Sequence, residues 1–92
     1  MSDVDENRIA QVLTDDFMRR IVRACKEPQT SAEIIQSLRE SQRQMMDDNY
    51  WERIVGDNLR RLSSLGGLIF ASGKWKSAKE WLDALDKYFG GT

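Results

Sequence analysis

The chain has 92 residues, enough for one hydrophobic core and not for two. It is 40% hydrophobic and 32% charged, with one proline and few β-branched residues, which points to a mainly helical globular fold. A net charge of −1, one cysteine and no histidine exclude an intrachain disulfide, histidine acid–base chemistry, nucleophile–histidine pairs and a four-ligand Cys/His zinc site.

Carboxylates are plentiful but scattered singly, and Gly66-Gly67 has neither the spacing nor the lysine of a phosphate-binding loop. No enzymatic activity, cofactor or metal is expected. No apolar stretch approaches the roughly 20 residues of a membrane span. The acidic start "MSDVDENR" is not a secretory signal, so a cytoplasmic protein is expected.

Residues 1–8 read as a disordered tail, 9–89 as the domain and 90–92 as a second disordered tail. Ile9, Val12, Leu13, Phe17, Ile21, Ala24 and Cys25 recur at three- and four-residue intervals, one face of a helix. Thr14 before Asp15 and Asp16 fits an N-cap, giving a main helix over 15–26 with a shorter helix or turn before it. Pro28 stops it. Thr30 or Ser31 caps the next helix, and Glu33 completes a capping box with Thr30. Ile34, Ile35 and Leu38 supply its buried stripe. Residues 39–49 fit helix or loop, and Met45-Met46 fit loop, core or a partner surface.

Asp47, Asp48 and Asn49 can each cap the third long helix, which carries Trp51, Ile54, Val55, Leu59, Leu62 and Leu65 in apolar register. Gly56 in its interior costs about 1 kcal/mol relative to Ala. Gly66 suits the left-handed position beyond the helix end. "LIFA" (68–71) and "WKS" (75–77) then read as two strands around a turn at Ser72-Gly73. A final helix begins near Ser77, with Glu80 as the second half of a capping box. Its stripe is Trp81, Leu82, Leu85, Tyr88 and Phe89. The order is helix, helix, helix, hairpin, helix. Cys25 reads as a buried inert thiol, Trp51 as core, and Trp75 as a plug between hairpin and helices.

Charge is unevenly distributed. Residues 1–16 balance at −4, 17–50 at +1, 51–79 at +4 and 80–92 at −2. Gathered cations of this kind can focus a field toward a polyanion even in a neutral chain, or can simply be solvated faces.

"VLTDDFMRRIVRACKEPQTSAEII" resembles the first two helices of winged helix-turn-helix regulators of the arsenic-repressor type. "IVGDNLRRLSSLGGLIFASGKWK" is similar to their recognition helix, its glycine-marked end and the wing. The likeness spans roughly residues 12–77. It implies a mainly α winged helix-turn-helix domain that binds double-stranded DNA as a transcription regulator, third helix in the major groove and hairpin on the backbone. The stretch between Leu38 and Leu59 is longer than in that family, and the family's metal-sensing cysteines and histidines are missing.

On that template the DNA-binding residues are Tyr50, Arg53, Asp57, Asn58, Arg60 and Arg61 of the helix, with Lys74 and Lys76 of the wing. Asp57 and the side-chain-free Gly56 would occupy the base-reading face. Family members pair through terminal helices, which assigns Trp81, Leu85, Tyr88 and Phe89 to a homodimer contact, unless that helix only completes the core. The alternative function is a winged-helix module that binds protein and not DNA.

Overall fold

The computed structural model describes residues 3–41 and 47–90. Within them the chain forms α1 (Asp3–Val12), α2 (Asp16–Ala24), α3 (Ser31–Ser41), α4 (Asp48–Ser64), β1 (Leu68–Ala71), β2 (Lys74–Ser77) and α5 (Lys79–Phe89). The fold is thus mainly helical with a two-stranded antiparallel hairpin, an order compatible with a winged helix. The segment holding Met45-Met46 lies outside the described residues, as do positions 91 and 92.

Local chemistry accounts for most boundaries. Asp15, rather than the expected Thr14, caps α2: its carboxylate accepts from the backbone N–H of Phe17 at 2.9 Å and of Met18 at 3.3 Å. The Thr14 hydroxyl instead donates to the Gln11 carbonyl and helps close α1. The capping box at α3 forms reciprocally. Glu33 N–H donates to Thr30 Oγ1 at 3.1 Å, and Thr30 N–H donates to Glu33 Oε1 at 2.9 Å. Asp47 caps α4 through the Tyr50 N–H at 2.8 Å.

Three expectations are corrected here. Residues 3–8 belong to α1, not to a disordered tail, because Ile9 and Leu13 enter the core and Lys87 of α5 donates to Glu6 at 2.7 Å. Ser77 does not cap α5. Its hydroxyl is buried and donates to the Val22 carbonyl at 2.8 Å, so the cap position falls to Ala78, which has no side chain to offer. Trp81 and Leu85 are core residues, 4% and 1% exposed, and present no outward face for a second copy.

The core is one cluster drawn from all five helices and the first strand, including Leu13, Ile21, Ile34, Val55, Leu62, Leu68 and Leu85. Trp51 and Cys25 are buried in it, as expected. Burial pushes the Cys25 thiol up to about 12, so at neutral pH it is a protonated, unreactive apolar group. Among the described residues, no helix is long and apolar enough to cross a membrane.

Candidate nucleic-acid interface

The path from α4 into the hairpin is set by the two glycines. Gly66 adopts φ +83°, its N–H donating to Ser63 O at 3.1 Å, while Gly67 N–H donates to Leu62 O at 2.8 Å. Together these bonds make the Schellman closure that satisfies the last helix carbonyls. Gly67 is required for a different reason: a Cβ there would lie 2.9 Å from ring atoms of Trp81. The α4 end, the first strand and the start of α5 therefore close on one point.

The hairpin pairs Leu68 with Ser77, Ile69 with Lys76, Phe70 with Trp75 and Ala71 with Lys74. Ser72 and Gly73 form the two-residue turn, both with positive φ, 54° and 75°, which matches the strand twist. Two strands alone are marginal in water. Here the ribbon gains a third partner that the sequence did not reveal. Trp75 N–H donates to Gln29 O at 2.6 Å and Gln29 N–H donates to Trp75 O at 2.9 Å, bridging β2 to the segment before α3. The Trp75 indole N–H donates to Ser31 Oγ at 3.2 Å, and its ring stacks at a tilt on Phe70, centroids 4.6 Å apart. Trp75 is thus the half-buried strut that fixes the hairpin to the start of α3.

The register divides the ribbon's faces. Leu68 and Ser77 face the core, with Phe70 and Trp75 farther along that side. Lys74 and Lys76 lie on the other side with Ile69 and Ala71, all exposed. Lys74 stands close enough to the first turn of α3 to help lower the pKa of Glu33, although the Thr30 N–H and hydroxyl bonded to that carboxylate contribute more.

On α4 the buried residues Trp51, Val55, Leu59 and Leu62 leave an outward stripe of Arg53, Asp57 and Arg60, with exposed Tyr50 and Arg61 along one flank. Arg60 is ion-paired to Asp57 on the stripe. Asn58 is half-buried and its amide donates to Ile54 O at 2.8 Å, so its donor is already engaged by its own helix. Arg39 of α3 pairs with Asp48 at 2.8 Å, holding the beginning of α4 against α3.

Several cations elsewhere are engaged. Asp16 binds both Arg20 at 2.7 Å and Arg19 at 3.0 Å, which hold its carboxyl below the usual range, Arg20 most strongly. Arg19 also lies over the Phe89 ring at 4.7 Å, and Lys87 over Tyr88 at 5.3 Å. Of the four residues assigned to a dimer contact, only Tyr88 is therefore largely exposed, and a lysine partly covers it. Among the described residues, acidic and cysteine side chains form no group that could hold a metal ion. No protein-family model, curated protein or solved structure matches this chain significantly.

Proposed function

We propose that the domain is a winged helix that binds duplex DNA, α4 entering the major groove and the hairpin lying along the neighbouring backbone. One observation carries the reading. Arg53, Arg61, Lys74 and Lys76 are exposed, come from the most basic stretch of the chain, and form no ion pair among the described residues. Without an ion-pair partner in the fold, they are open to an external one, and phosphate is the partner their chemistry suits. Asp57 holds Arg60 in position on the free protein and can accept from a cytosine amine once Arg60 turns to a phosphate.

Four phosphate contacts give a log–log salt slope of about −4. Fluorescence anisotropy with a mixed-sequence duplex at several salt concentrations measures it. Changing Lys74 and Lys76 together to Ala should flatten the slope by about 2 and weaken all sequences alike. Absence of binding at low salt and about 1 μM protein would falsify the proposal.

A protein-binding module is the second reading, favoured by Ile69 and Phe70, which are 58% and 55% exposed on the hairpin. Phosphate contacts do not need that apolar area. Association that survives high salt and is lost on Ile69→Ser, with no effect of the lysine changes, selects this reading.

A further inference from the structure

We infer that the cleft between α1, the end of α4 and the start of α5 is a binding site for a small zwitterion with an apolar side chain, of the α-amino-acid class. The cleft has a volume of about 360 Å³. That lies toward the small end of the roughly 300–1,000 Å³ typical of ligand sites, room for a metabolite and not for a dinucleotide or polymer. It is built by three helices that each contribute a different element of recognition.

Arg8 reaches the cleft from α1, and Glu80 from the first turn of α5. Both are exposed, and neither takes part in an ion pair among the described residues, although they line the same space. The same cleft is lined by Val12, Trp81 and Leu65, the last being one of the large apolar side chains left exposed among the described residues. Two opposite charges without partners beside an apolar wall call for a ligand with both complementary charges and an apolar body. A carboxylate would meet Arg8 and an ammonium would meet Glu80. The C-terminal end of α4, at Ser64 and Leu65, carries the partial negative charge that also favours a cation. An aliphatic or aromatic side chain would cover Leu65 and Val12.

The cleft includes Gly66, the residue where α4 turns into the hairpin, so an occupant would touch the joint between the two elements that carry Arg53, Arg61, Lys74 and Lys76. The inference does not depend on DNA binding, and its test contains no DNA. The ¹⁵N-labelled full chain is titrated with L-phenylalanine and with L-leucine. Two single-charge analogues serve as controls: 3-phenylpropanoate, which lacks the amine, and phenethylamine, which lacks the carboxylate.

The expected result is saturable amide shifts confined to residues 8–13, 64–67 and 79–82, with a Kd of about 1 mM or below, modest because both charges face water. Each analogue should bind about tenfold more weakly. Arg8→Gln should lose discrimination against phenethylamine, and Glu80→Gln against 3-phenylpropanoate, while the rest of the spectrum stays in place. The inference is overturned by a lack of saturation up to about 10 mM, by shifts centred elsewhere, or by analogues that bind as well as the amino acids. Because the analogue series uses the unmodified chain, it decides the matter even if a variant is perturbed.

Discussion

The two ends of the hairpin are built on different terms. Its base is locked: Leu68 and Ser77 are buried, Ser77 N–H donates to Cys25 O at 2.9 Å, its hydroxyl to Val22 O, and Ala78 N–H to Gly67 O at 2.9 Å. Toward its tip, Ile69, Phe70, Lys74 and Lys76 are exposed, and among the described residues the hydrogen bonds that hold that half to the body are those of the Trp75 strut. The base tolerates little because each group there has a single partner. The tip is free to carry chemistry because folding asks only for its turn and its strut. Mutations should sort along this gradient.

The largest effect belongs to the base. Gly67→Ala forces a methyl against the buried Trp81 ring and should destabilise the domain by about 1–3 kcal/mol, measured by urea unfolding. Pairing it with Trp81→Leu tests the cause: the two penalties should be less than additive, since the smaller side chain makes room. Full additivity would mean that the close approach is not what costs. Next comes Ser77→Ala, which leaves the buried Val22 carbonyl without its side-chain donor and should cost about 1–2 kcal/mol. An unchanged urea midpoint would show that this bond contributes nothing.

The same gradient separates what could be read in the sequence from what could not. The Thr30–Glu33 capping box, the Gly66 helix end and the Ser72-Gly73 turn are local devices, encoded within a few adjacent residues, and each is visible in the string alone. The Gln29–Trp75 bridge is not, because pairing between distant segments leaves no periodic mark. Ser77 shows the converse: it has the spacing of a helix cap, but the nearby Val22 carbonyl takes its hydroxyl. The start of α1 leaves no mark in its own sequence because part of its support comes from Lys87 at the far end of the chain. In the candidate interface, helical periodicity was enough to align Arg53, Asp57 and Arg60. It could not show that Asn58 spends its amide on its own helix, or that Trp81 and Leu85 fill the core instead of facing a second copy.

A smaller effect, of opposite sign, is expected on the outward side of α4. Apart from its chain neighbours and the surrounding helix backbone, no atom lies within 4 Å of a Cβ built on Gly56, and its own backbone is helical. Gly56→Ala should therefore stabilise the domain by about 1 kcal/mol through helix propensity alone. If DNA enters along this face, the same methyl would meet the groove, so stability would rise while affinity falls. A rise in both would place the partner elsewhere.

The smallest effect lies at the tip. Lys74→Ala removes a solvated charge and should lower the unfolding midpoint only slightly, while it raises the pKa of Glu33, on which Lys74 acts through space. The shift is only part of the depression, because the Thr30 N–H and hydroxyl hold the carboxylate more strongly, and Thr30→Val should raise the value further. The sign follows from linkage. A carboxyl whose folded pKa is depressed stabilises the fold above its ordinary value of 4.5, and that contribution disappears as pH falls through the lower folded value. The contribution of the capping box should thus hold at neutral pH, begin to decline below pH 4.5 and be lost only once the lower folded pKa is passed. A carbon-detected titration of the Glu33 carboxyl in the two variants reads both steps. An identical pKa with and without the Lys74 charge would mean that the hairpin tip does not stand over α3, and with it the placement of the cationic ribbon would fall.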